Sequence, residues 1–283
     1  NQSLFSYYFI GDSMKKILVV FISILILMPE VKSSTTSASS YILMDQNTGR
    51  VLLSKDKDSQ RLIASITKIM TCILALESGK SEDVVIVDDN ATSAYGSGIY
   101  IEVGEEIKLK DLLYGLMLKS GNDAASMIAA YVSGSIEEFV KLMNNKAKEL
   151  GMKNTIFYTP SGLPTPHGNL SSVYDMAILT RYAMQNKEYR EIVSTKKYKT
   201  ATNKKTYIWH NKNKLLKYDY ITGGKTGYTE ESGRTLVSTA NIDNMNLIVV
   251  TIRDSDDWNT HLELYNYAKD NYISYKVLNK NKF

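Results

Sequence analysis

The chain has 283 residues, 43% of them hydrophobic, which is enough apolar material for one large core or two small ones and argues against disorder. Its 34 basic and 30 acidic residues are interspersed and leave a formal charge of +4, so the sequence offers neither a basic block for nucleic acid nor an acidic solvating tail. The single cysteine, Cys72, excludes an intramolecular disulfide and reads as a small buried hydrophobe, and His167, His210 and His261 show no metal-ligand spacing, so neither a metal nor a cofactor is expected.

In chain order, Met14, Lys15 and Lys16 form a short basic region before an apolar run over residues 17–28, which is too short to span a bilayer comfortably. A Ser- and Thr-rich stretch over 32–40 follows, with Val31 and Ser33 as a small-residue cleavage signal. A buried core helix would also be apolar, but these flanks predict a secretory leader over 14–38, with an uncleaved N-terminal anchor as its variant and 1–13 as an upstream extension. The expected catalytic domain covers 39–275 and a polar tail covers 276–283.

Alternation of Tyr41, Leu43, Val51 and Leu53 around a turn ending at Gly49 predicts a β-hairpin. Ile66, Ile69, Met70, Ile73 and Leu74 then recur at helical spacing, with Ser65 at the N-terminus of the helix and Gly79 just past its end. A helical pattern over 111–134 breaks at Ser120-Gly121-Asn122-Asp123 and resumes, and a further helix is expected over 136–150. Pro160, Gly162, Pro164, Pro166 and Gly168 mark a loop, and 172–184 again reads helical. The Lys-, Asn- and Tyr-rich stretch over 196–220 reads as loop and edge strand. Three strands over 221–229, 234–240 and 246–253 precede a closing helix over 258–272. This order predicts an α+β fold whose antiparallel sheet is built from both ends of the chain and flanked by helices.

Chemistry enters at Ser65-Ile66-Thr67-Lys68, where a lysine three residues along a helix lies on the same face as the serine and within reach of its hydroxyl. The same S-x-x-K spacing recurs at Ser13, Ser54 and Ser194, so the spacing alone selects nothing. Only at Ser65 does the pair open an apolar helix, whose N-terminal N–H groups favour negative charge developing on a substrate carbonyl. Ser120-Gly121-Asn122 is the sole S-x-N and sits in a helix-breaking turn, where Asn122 or Asp123 could equally cap the next helix. Lys225-Thr226-Gly227 follows Gly223 and Gly224 on a predicted strand; glycine there permits close approach of a ligand, or marks a bulge.

Three such elements in this order, on helix, turn and strand, form a known catalytic set. With the blocks over 62–71, 104–125 and 223–229, the chain resembles the low-molecular-mass penicillin-binding D-alanyl-D-alanine carboxypeptidases over about residues 41–272. The resemblance implies a β-lactamase/transpeptidase-like fold with a helical subdomain and an active-site cleft. It implies Ser65 as nucleophile, Lys68 as its general base and Ser120 as proton relay to the departing D-alanine. Asn122 would orient Lys68 and the substrate backbone, Lys225 and Thr226 would hold the terminal carboxylate beside Gly227, and the N–H groups of Ser65 and Tyr228 would form the oxyanion hole. Implied partners are peptidoglycan stem peptides ending in D-Ala-D-Ala and β-lactam antibiotics. Asn169 stands where many relatives carry a histidine, which leaves His167 without an assigned role. The sequence also shows no C-terminal membrane anchor of the kind many relatives have, so attachment would come from the N-terminus. A serine β-lactamase and a non-catalytic β-lactam sensor are the competing readings; the loop over 157–169 has no E-x-x-x-N to hold a hydrolytic water, which counts against the former.

Overall fold

A computed structural model describes residues 36–92, 95–164 and 167–275. The expected upstream stretch 1–13, the leader up to residue 35 and the tail 276–283 lie outside the described residues. The first hairpin forms as the alternation predicts: β1 (Ser40–Asp45) and β2 (Val51–Lys55) meet at a turn where Asp45 Oδ1 accepts from the Thr48 N–H at 2.7 Å and Gly49 adopts φ +77°. Next come β3 (Arg61–Leu62), a 3-10 turn at Ala64–Thr67, and α1 (Lys68–Glu77). Beyond them lie β4 (Val84–Ile86), β5 (Glu106–Lys108), α2 (Leu109–Tyr114), a π-helical turn at Gly115–Lys119, α3 (Asn122–Ser133) and α4 (Ile136–Glu149). After the proline-rich loop come β6 (Leu170–Ser171), α5 (Val173–Ala183), α6 (Lys187–Ser194), β7 (Lys197–Ala201) and β8 (Thr206–His210). Three strands, β9 (Ile221–Thr229), β10 (Gly233–Ile242) and β11 (Met245–Ile252), and α7 (Asp257–Asn271) close the order.

The main sheet is antiparallel with order β2-β1-β11-β10-β9, so the first and last strands of the chain are neighbours, as expected. Its two faces explain the uninterrupted apolar run in β11. Ile248, Val250 and Ile252 point into a core shared with α1, α3 and α5, while Leu247 and Val249 face α7 with Leu43, Leu236, Leu264 and Tyr265. All of these side chains are buried, and each contributes on the order of 1.5–3 kcal/mol relative to exposure. β9 is the free edge of this sheet, which leaves one side of its backbone open to a ligand. Among the described residues no helix is long and apolar enough to cross a membrane.

Two stretches differ from the sequence reading. The segment read as loop and edge strand holds a complete hairpin, β7–β8, preceded by the unforeseen helix α6. Tertiary contacts fix the hairpin: Tyr198 stacks on Tyr114 at 3.6 Å between ring centroids, its hydroxyl donates to Asp111 Oδ1 at 2.5 Å, and Trp209 packs behind it. The second difference concerns the start of α3: its N-cap residue is Gly121, which has no side-chain cap, and of the two expected capping residues only Asp123 reaches a first-turn N–H, its Oδ1 accepting from Ala124 at 2.8 Å. The Asp123 carboxylate also accepts from the backbone N–H groups of Ile99 (3.0 Å) and Tyr100 (2.7 Å), tethering the segment that carries Ser97 to the start of the helix.

Candidate active site

Ser65 sits in the 3-10 turn rather than within the α-helix, one turn before Lys68, and Ile66, Ile69, Met70 and Ile73 anchor that stretch in the core. The turn is entered through Ala64 at φ +47°, a left-handed conformation that disfavours an L side chain. Its neighbours hold it there. Gly162 packs so closely that a Cβ on it would lie 2.0 Å from the Ala64 carbonyl oxygen, and Thr235 Oγ1 donates to the Ile63 carbonyl at 3.1 Å. Asn169 completes the clamp from inside the proline-rich loop: its amide donates to Thr67 Oγ1 (3.0 Å) and the Thr159 carbonyl (2.8 Å) and accepts from the N–H groups of Tyr158 and Thr159. His167, by contrast, is exposed beside the Tyr158 ring and does not line the cleft.

Lys68 is 0% exposed. Its Nζ lies 2.9 Å from Ser65 Oγ and donates to Asn122 Oδ1 at 2.8 Å and to the Ser161 carbonyl at 2.7 Å. The Asn122 amide is fixed in this sense because its Nδ2 donates to the Tyr95 carbonyl at 2.6 Å. Burial holds the Lys68 pKa well below the usual lysine range, helped by the positive charges of Lys225 and Lys212 and opposed by Asp123. A neutral amine has two N–H donors and one lone pair. With both donors directed at carbonyl oxygens, the lone pair is left for the Ser65 hydroxyl.

On the other wall, Lys225 is 1% exposed, and its Nζ donates to Ser120 Oγ at 3.0 Å and to the Thr226 carbonyl at 2.7 Å. Rather than standing solvated in the cleft, it lies behind Ser120, and burial, then Lys212, brings its pKa down to about 7. Ser120 closes the π-helical turn at φ +65°, a strained position that points its hydroxyl away from the regular helix. Of the two roles expected for the paired glycines, the bulge is found, since the β9–β10 register shifts between Thr239 and Ala240, whose partners are Gly223 and Ile221, and the ligand approach is not. A Cβ on Gly223 would strike Val193 and one on Gly224 the Val237 carbonyl, so these two serve strand packing rather than ligand approach. Gly227 is the position of close approach: its Cβ would fall 2.4 Å from Thr235 Oγ1 and 2.9 Å from the Ser65 backbone nitrogen.

A cleft of about 340 Å³ joins the two walls and is lined by Ser65, Ser97, Ser120 and Lys212 on one side and by Thr226, Gly227 and Tyr228 on the other, with Arg234, Asp257 and Trp258 at the end of the sheet wall. Ser65, Lys68, Ser120, Asn122 and the 225–228 strand, picked out from sequence, therefore meet in one place. Sequence reasoning missed the Ser161 carbonyl, Ser97, Lys212 and Arg234. A backbone carbonyl has no side-chain signature, although Pro160 and Gly162 mark its turn. The other three belong to no motif and gain their place only through tertiary contacts such as the Arg234–Asp257 ion pair at 2.6 Å.

Comparison with known proteins agrees with this geometry. The family model described as D-alanyl-D-alanine carboxypeptidase, peptidase S11, matches residues 28–256. D-alanyl-D-alanine carboxypeptidase DacF of Bacillus subtilis is 42% identical over 220 residues, covering 75% of this chain and 56% of the relative. DacD of Escherichia coli is 31% identical over 265 residues, covering 87% and 66%. The chain thus spans somewhat over half the length of these relatives. Among solved structures, the penicillin-binding protein homolog Rv2911 from Mycobacterium tuberculosis superposes with a TM-score of 0.81 at 27% identity, covering 86% of this chain and 95% of that one. A point mutant of the Streptomyces K15 DD-transpeptidase gives 0.78 at 29%, covering 83% and 99%. The fold is therefore the penicillin-binding, transpeptidase-like α+β fold, and the chain belongs to the peptidase S11 family of D-alanyl-D-alanine carboxypeptidases.

Proposed function

We propose that the protein is a serine D,D-carboxypeptidase that removes the terminal D-alanine from peptidoglycan stem peptides through an acyl-enzyme on Ser65, and that β-lactams acylate and inhibit it at the same residue. The observation that carries this reading is the pairing of two serine hydroxyls with two buried lysines in one cleft, Ser65 with Lys68 at 2.9 Å and Ser120 with Lys225 at 3.0 Å.

Ser65 Oγ attacks the carbonyl of the penultimate D-alanine as its proton passes to the neutral Lys68 amine. The new oxyanion lies between the backbone N–H groups of Ser65 and Tyr228, which the missing side chain of Gly227 allows to come close. The substrate backbone aligns along the open edge of β9 and against the Asn122 amide. Ser120, with the Lys225 ammonium behind it, passes a proton to the departing amine of D-alanine, and Lys225 regains one by way of Lys68 and solvent. Thr226 and the positive field of Lys225 attract the terminal carboxylate. Water then attacks the ester, Lys68 again taking the proton, and releases the shortened peptide.

The basic region at Met14, Lys15 and Lys16 and the apolar run after it support export, which would place a catalytic domain of residues 39–275 on the wall side of the membrane for cell-wall synthesis, free or held by its N-terminal segment. The test is to incubate the purified protein with a labelled penicillin and, separately, with a peptide ending in D-Ala-D-Ala. Stoichiometric label at Ser65, slowly lost, together with D-alanine release is the expected result, and Ser65→Ala should abolish both. Rapid loss of label points to a β-lactamase and stable label without release to a sensor; either outcome, or label retained by the Ser65→Ala variant, overturns the proposal.

A further inference from the structure

A second cavity, of about 280 Å³, shares no lining residue with the catalytic cleft, and two arginines meet in it: Arg61 of β3 and Arg253, immediately after β11. The start of β1 brings them together. The Ser39 N–H donates to the Arg253 carbonyl at 3.1 Å, and Arg61 Nε donates to Oγ of the next residue, Ser40, at 2.8 Å. Among the described residues that is the one polar contact of the Arg61 guanidinium, and the Arg253 guanidinium has none. No described carboxylate lies within ion-pair distance of either, although the exposed Glu231 lines the same cavity. Arg253 is also held at φ +53°, a conformation that a side chain disfavours and a glycine would adopt freely. Gly233 of β10 leaves room for it there, since a Cβ on Gly233 would crowd Arg253 Cγ at 3.2 Å. Backbone strain kept at a cation with no partner points to a ligand. Leu62, Leu170 and the buried Ile252 give the cavity an apolar wall beside the two charges.

We propose that Arg61 and Arg253 form a binding site for a phosphate ester, separate from the cleft, with the phosphate oxygens between the two guanidiniums and the organic part against Leu62, Leu170 and Ile252. A planar carboxylate is matched by a single guanidinium fork. A tetrahedral phosphate turns its oxygens in several directions and so can use two forks that come from different elements. Two arginines against one glutamate leave the cavity positive, which favours an anion. Lipid head groups and soluble or polymer-borne phosphates both carry this chemistry, and the experiment separates them.

The experiment titrates the purified protein with glycerol phosphate by calorimetry and, in parallel, floats it with phosphatidylcholine vesicles with and without phosphatidylglycerol. Wild type is expected to bind, and Arg61→Gln and Arg253→Gly should each weaken binding about tenfold, the loss of one charge-assisted contact. Arg253→Gly also relieves the left-handed strain, so its Tm should stay within about 2 °C of wild type, which separates loss of the ligand from loss of the fold. Its rate of acylation by labelled penicillin should be unchanged. Flotation that needs phosphatidylglycerol, is lost in Arg253→Gly and is competed by glycerol phosphate assigns a lipid head as the source. Binding of glycerol phosphate without flotation assigns a soluble or polymer-borne phosphate. Absence of both kinds of binding, affinity kept in both variants, or acetate bound as tightly as glycerol phosphate overturns the proposal. A fall in acylation rate that tracks the loss of binding would make the cavity part of the catalytic cleft and overturn it as a separate site.

Discussion

The two walls of the cleft each hold a buried lysine against a serine hydroxyl, but they hold it differently. On the helical wall, Lys68 is fixed by carbonyl oxygens of residues 54 and 93 positions away, Asn122 and Ser161, so its geometry exists only once three separate elements have packed. On the sheet wall, Lys225 takes a carbonyl from its own neighbour, Thr226, and has one long-range partner, Ser120. The contrast separates two chemical states. Lys68 has its donors occupied and a lone pair facing Ser65, which suits a base; Lys225, poised at about 7 behind a second hydroxyl, suits a proton source near neutrality.

The largest break in that contrast should come from Lys68→Arg. A guanidinium stays protonated and planar, so it can occupy the pocket but cannot accept the Ser65 proton, and acylation by penicillin should slow by roughly 10³-fold. A rate within about tenfold of wild type in stopped-flow acylation would remove Lys68 as the base. Next in size is Gly227→Ala, which acts where the walls meet. Its Cβ would press on Thr235 Oγ1 and on the Ser65 nitrogen, moving the nucleophile, and about 10²-fold should be lost in acylation rate. Retention of the wild-type rate would show that the approach of β9 to Ser65 has slack.

The smallest effect is thermodynamic and sharpens the sheet-wall side. The unfolded chain holds Lys225 near the ordinary 10.5, whereas in the folded protein it stands at about 7. Between those values the unfolded state binds a proton that the folded state lacks, so this group makes stability rise from about pH 7 to 10.5 and contributes no slope below about 7. Lys225→Met removes that contribution. The gain in Tm from about pH 7 to about pH 10 should shrink by roughly 5 °C relative to wild type in calorimetry; an equal gain would mean that burial does not depress this lysine.

What could be read in the sequence follows the same division. β1, β2 and β9–β11 were legible because their apolar residues alternate or run unbroken against two covered faces, and α1 because Ile66, Ile69, Met70 and Ile73 repeat at helical spacing. α6 was readable in principle: Asn186 caps it, accepting from the Tyr189 N–H at 3.0 Å, and Tyr189, Ile192 and Val193 form its buried face. Eight residues give that pattern little statistical weight. The β7–β8 hairpin was not legible, since its strands are rich in lysine and threonine and are held by Tyr114, Asp111 and Trp209 from other elements or from across the hairpin. Within the site, side chains that belong to a motif were found and those recruited singly, such as Lys212 and Arg234, were not. Gly227 was found as part of the motif, but its reason for being glycine is a contact with the backbone of Ser65, far back in the chain, which no local pattern encodes.

The pairing of β1 with β11 has a consequence for how the molecule is made. Ser40 faces Ile252 in the register, so the centre of the sheet cannot close until the chain has been made past Ile252. Until then the hairpin that opens the sheet has no partner on its inner edge, and the cleft has no second wall. The last step of sheet closure is therefore a long-range one, joining segments more than two hundred residues apart, and the two walls gain their shared support only when it is complete.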